Sequence, residues 1–236
     1  GSADIVFSAV GTIGGGDISA VGTAQLDGGN IALGDVTAAN IDFTSAANIL
    51  FDSLTSPNAI ILSATDGMIG ANTGNGDIDS DDSVDLTAQI IAVGDIVTGG
   101  SLTASATNGD ASFGAVDAVD AVTITATGTP TVASIISGGN ADITGASVTL
   151  SGGDIGGALT LTATAGDVNL ALDATDQILV GGQARLDASG DIIVTHTNNA
   201  SDTLSLDATG NILATALGSI DAQDGSILSG NEVFLL

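Results

Sequence analysis

The amino-acid sequence predicts an all-β chain wound as a single-stranded parallel β-helix, a solenoid of about 11 coils with about 20 residues each. Three observations predict it. A unit of Leu or Ile, a spacer residue, Ala, Ser or Thr, and then Gly-Asp, Gly-Asn or Gly-Ser before Ile or Val recurs along the chain, with its clearest copies beginning at Leu161, Leu186 and Leu206. Apolar and polar residues alternate with period two inside each unit, as in Leu159-Thr-Leu161-Thr-Ala163 and Leu204-Ser-Leu206-Asp-Ala208, the mark of a strand with one buried face. The third observation is composition: aromatics are 2%, with no Trp and no Tyr. That leaves neither the large inward side chains of a sandwich nor the aromatic girdles of a membrane barrel. Right-handed winding is the expected hand.

The charge is −27 in 236 residues, from 28 acids and one Lys or Arg, yet 44% of residues are hydrophobic and mean hydropathy is +0.48. A disordered acidic chain lacks apolar residues, so this one folds around an aliphatic core. Every acid but Glu232 is Asp, a turn former where Glu would favour helix. The 34 Gly against 2 Pro indicate turns built with the residue that accepts positive φ. Arg185 is the sole Lys or Arg, which excludes nucleic acid and anionic membrane surfaces, since both need several cationic contacts. No apolar run reaches the roughly 18 residues of a membrane helix, so no membrane insertion is expected. Without Cys there is neither a disulfide framework nor a thiolate metal site.

Taken in order, Gly1 and Ser2 read as a cloning scar, and residues 3–236 as one β-solenoid repeat domain excised from a longer protein. Strand signals then fall five residues apart at Asn30-Ile31, Asp35-Val36 and Asn40-Ile41, too close for sandwich strands at roughly 8–12 residues. Residues 53–58 and 70–82 read as loops leaving the coils. Looser copies of the repeat begin at Leu62, Leu86, Leu102 and Ile124, with a further step through Leu150. From Leu62 to Leu206 the mean step is about 20 residues, a solenoid period. Stacking like on like places Ile over Ile and Asp or Asn over its equivalent, and Ile192 and Ile212 are expected to stack on neighbouring coils. Phe234, Leu235 and Leu236 end the chain with apolar residues that no cap follows, which predicts end-to-end self-association.

Residues 161–228, with Gly-Asp-Val/Ile, Gly-Asn-Ile and Gly-Ser-Ile between Leu-x-Ala strands, resemble the filamentous haemagglutinin family of large secreted bacterial exoproteins. The similarity of pattern extends over most of residues 17–233. It implies a long right-handed β-helix exported by two-partner secretion from a Gram-negative bacterium and placed at the cell surface or secreted. The role it implies is adhesion, aggregation or holding a binding tip away from the cell. The expected function is therefore a non-catalytic structural rod of an adhesin-like exoprotein. A host or neighbouring-cell surface glycan or protein is the expected partner.

No cofactor is required by that reading, though the acidic run Asp77, Asp79, Asp81, Asp82 and Asp85 raises calcium. Alternate residues of a strand share one face, and clustered oxygen ligands suit Ca²⁺. The run fails the EF-hand pattern, since Asp82 stands where that loop needs Gly and Ala88 where it needs Glu. The alternatives are a glycan- or calcium-binding surface module and a β-helix polysaccharide lyase. Against the lyase stand the lack of Trp and Tyr to stack on sugars and a single Arg to bind uronates. His196, the one His, reads as an ordinary strand residue. The runs Thr123/Thr125/Thr127 and Thr160/Thr162/Thr164 read as outward polar positions, because the equivalent stretch carries Ser205 and Asp207.

Overall fold

The structure, a computed structural model, describes residues 3–172, 177–196, 204–222 and 227–236, apart from the side chains of His196, Leu204 and Ile227. The suggested scar at residues 1–2 lies outside them. The described residues form 28 strands and no helix, hence none long and apolar enough to cross a membrane. The strands join in one sheet, and every strand pair is parallel, each strand lying beside its counterparts one coil earlier and one coil later. Eleven such pairings carry the chain from Ile5 to Val233, a mean period of about 21 residues. At about 4.8 Å per step the stack is about 53 Å long. The β-solenoid of about 11 coils is thus the fold.

Each coil has three faces. Face A carries the stack Ile5, Ala24, Ile41, Ile60, Val84 and onward. Face B carries Ile13, Ile31, Ile49, Ile69 and Ile91, and face C carries Ile18, Val36, Leu54, Ile78 and Ile96. The five-residue spacing is now explained: Ile31, Val36 and Ile41 head successive faces B, C and A. Along each strand one side chain points into the column and the next points out, so Ile41 and Phe43 are at most 1% exposed while Thr44 is exposed. Burying an aliphatic side chain of this size contributes about 2 kcal/mol, repeated on every face.

Register corrects three expectations. Leu206 lies within the face C strand Leu204–Ala208, pairing with Ile178 and Leu228, whereas Leu161 and Leu186 pair with each other on face A, and Leu150 belongs to face B beside Leu170. All three faces share the period-two alternation of inward and outward residues, so a local motif carries the period but not the face. For the same reason Ile192 and Ile212 are both buried but not stacked. Ile192 lies between Val168 and Ile220 on face B, and Ile212 between Ala184 and Val233 on face A. Residues 53–58 are no loop: Ser53–Ser56 is a regular face C strand. The real insertion is residues 72–76, ahead of strand Asp77–Ser80.

The Gly-Asp turns also work differently from expectation. Among the described residues only Gly76 has positive φ, at 73°. The other turn glycines answer to the coil below. The carboxylate of Asp77 reaches up to accept the N–H of Asp95 at 2.9 Å, and a Cβ on Gly94 would stand 2.1 Å from that same oxygen. Asp17 with Gly34, Asp95 with Gly114, Asp110 with Gly128, Asp167 with Gly190 and Asp191 with Gly218 repeat the arrangement. Asp is short enough to bridge one coil step, and Gly leaves the space the carboxylate needs.

This interlock is testable by a double-mutant cycle. Asp95→Ala leaves the Ala115 N–H, which donates to Asp95 at 2.8 Å, without its acceptor and is expected to cost about 1 kcal/mol, as for a lost helix cap. Gly114→Ala is expected to cost about 1–2 kcal/mol, because the new Cβ, 2.2 Å from the Asp95 oxygen, displaces the carboxylate. In the double variant the two losses should overlap, giving a total clearly below their sum by urea denaturation. Strict additivity would show that Gly114 is there for another reason.

Candidate functional site

The acidic run divides over two faces and a corner. Asp77 and Asp79 point outward from face C on strand Asp77–Ser80. Asp81 and Asp82 turn the corner, and Asp85 points outward from face A between Ile61 and Thr103. Two of the five have structural partners: Asp77 accepts the Asp95 N–H, and Asp82 Oδ1 accepts the Ser83 N–H at 2.8 Å. The corner itself is held from inside by buried hydroxyls. Ser80 Oγ donates to the carbonyls of Asn58 at 2.8 Å and Asp82 at 3.1 Å, and Thr98 Oγ1 also donates to the Asp82 carbonyl. Among the described residues no group of three or more His, Asp or Glu side chains is placed to hold a metal ion.

Two chemical classes stand out among the described acids. In the first, Asp17, Asp52, Asp77, Asp95, Asp110, Asp167 and Asp191 accept backbone N–H groups from the next coil at the corners. Asp52 is the most heavily bonded, accepting the N–H of Thr73 at 2.6 Å, the N–H of Gly74 at 2.7 Å and the Thr73 hydroxyl at 2.9 Å. These donors, the Thr73 N–H foremost, hold its carboxyl below the usual carboxylate range. Asp191 is lowered in the same way by the N–H and then the hydroxyl of Ser219. The second class points outward from mid-strand and has no such role. On face C it comprises Asp79, Asp117, Asp154 and Asp207, none of which accepts a hydrogen bond from the described residues.

Those four acids form one column with the residues between them. Asp79 pairs with Val97, Val97 with Asp117, Asp117 with Ile136, Ile136 with Asp154, Asp154 with Leu179 and Leu179 with Asp207. Carboxylate and aliphatic side chain thus alternate strictly from coil to coil. Val97 and Ile136 are 49% and 53% exposed. Shallow open grooves run along this face, one beside Asp79 and Val97, another beside Ile136 and Leu179, and a third beside Asp154 and Asp207. Sequence reasoning missed this column because its members are about 20 residues apart and only the register aligns them.

The remaining candidates are soon placed. Arg185 pairs with Asp187 on face A at 2.5 Å. His196 closes the face B strand Ile192–His196, with its side chain outside the described set. The hydroxyl runs need a correction: residues 204–208 lie on face C and are not the equivalent of Thr160. The outward column on face A is Thr44, Ser63, Thr87, Ser105, Thr125, Thr144 and Thr162, seven coils of unbroken hydroxyls. The column beside it is mixed, with Asp42, Ile61, Asp85 and Asp142 among its threonines. Phe234, Leu235 and Leu236 are 44%, 52% and 72% exposed. No family model, curated protein or solved structure matches the chain.

Proposed function

We propose that this chain is a structural rod segment of a secreted or cell-surface, adhesin-like bacterial exoprotein and performs no catalysis. The observation that carries the reading is the continuous parallel stacking of face A from Ile5 to Val233, locked at the corners by carboxylates that bond upward to the next coil. A solenoid of this kind resists bending because each coil is tied to its neighbours on three faces at once. The excess of negative charge keeps rods apart at low salt, and one basic residue in 236 leaves a single trypsin site. These are properties of a spacer that must stay extended outside a cell.

The test is made on the purified chain. Solution scattering should report a rod about 53 Å long, and incubation with acidic and neutral polysaccharides should release no new reducing ends and no unsaturated sugars. Depolymerisation of any polysaccharide would overturn the non-catalytic reading in favour of a β-helix lyase. Specific, saturable binding on a glycan array would replace the spacer role with that of a glycan-binding module.

A further inference from the structure

We propose that face C, from Asp79 to Asp207, is a docking surface for a cationic peptide in the polyproline II conformation, laid along the solenoid axis with Lys or Arg at every third residue. The first argument is spacing. Acids two coils apart in the column are about 9.6 Å from one another. A polyproline II helix has three residues per turn and rises about 3.1 Å per residue, so every third side chain recurs at about 9.3 Å on the same side. Over the three intervals from Asp79 to Asp207 the mismatch stays below about 1 Å. An α-helix matches only at every seventh residue, about 10.5 Å, and drifts by nearly 3 Å over the same length. An extended β-strand turns every third side chain to the opposite face.

The second argument is complementarity. Between the acids stand Val97, Ile136 and Leu179, which give the peptide backbone and the aliphatic stems of its basic side chains apolar surface to rest on. The acids have no cation of their own: Arg185 is the only Lys or Arg in the chain, and it stands on face A. A second copy of this chain therefore cannot be the occupant. Access is open along one edge, because four of the five corner positions between Asp81 and Thr209 are Gly99, Gly138, Gly156 and Gly181, without side chains. A polyproline II segment forms no internal hydrogen bonds and is already extended, so it docks without the ordering cost that a folding peptide meets.

The experiment uses the full 236-residue chain and two fluorescein-labelled peptides of identical composition, one of repeated Pro-Pro-Lys triplets and one with its lysines in a single block. Fluorescence anisotropy is read at physiological ionic strength, where the Debye length of about 8 Å is shorter than the spacing of the acids, so register counts and not total charge alone. The triplet peptide is expected to bind at least about tenfold more tightly than the block peptide. Asp117→Asn with Asp154→Asn should weaken it about tenfold, while Asp85→Asn with Asp142→Asn, the same charge change on face A, should cost less than about twofold. All four positions are outward, so circular dichroism melts should confirm an intact fold. Equal affinity for the two peptides, equal losses in the two double variants, or no binding of the triplet peptide would each overturn the proposal.

Discussion

Replacing Ile143 with Asp is expected to destabilise the solenoid by about 4 kcal/mol or more. Ile143 is fully buried in face A, stacked between Ile124 and Leu161. A carboxylate there meets only aliphatic neighbours from both adjacent coils, and burial of an unpaired charge has no compensation in a chain whose one basic side chain lies on the surface. Because each coil contacts only its neighbours, the lesion interrupts the column at its middle, and thermal unfolding should split into two transitions. Ile143→Val, which removes one methylene, should cost only about 1 kcal/mol and keep a single transition. Similar melts for the two variants would mean that the inward face of this strand is misassigned.

The second large effect is expected at Gly138. A Cβ placed there would lie 2.1 Å from the carbonyl oxygen of Val119 on the coil below. Unlike the glycines over aspartates, it faces backbone that cannot rotate aside, so the two coils must separate. Gly138→Ala is expected to cost about 2–3 kcal/mol. Gly16→Ala supplies the control, since nothing lies within 4 Å of its added Cβ; the change in stability should be within about 0.5 kcal/mol of zero. Urea denaturation of both variants checks the pair, and equal midpoints would show that close coil approach does not select glycine at residue 138.

The two substitutions separate what local sequence encodes from what stacking encodes. Period-two alternation and the absence of helix-forming patterns, visible in stretches such as Leu159 to Ala163, arise from residue chemistry within one strand, and the sequence by itself determined an all-β solenoid with a period near 20. The repeated Gly-Asp signal was legible too, but not its cause. A conformational explanation suits a turn seen in isolation. The steric one requires knowing that Gly94 lies over Asp77, and that juxtaposition exists only once the coils are stacked.

Assignment of residues to faces was beyond local sequence because all three faces share the same period-two alternation. A strand at Leu206 and one at Leu186 look alike, yet they stand on different sides of the rod. The acidic run at Asp77, Asp79, Asp81, Asp82 and Asp85 is dense along the chain but spread around a corner in space. The column of Asp79, Asp117, Asp154 and Asp207 is scattered along the chain but aligned in space. Sequence distance is a poor guide to surface distance here because one coil step is about 4.8 Å in space for about 20 residues of chain. The sequence determined the coil and its core; the register, a property of the whole stack, decided which side chains share a surface.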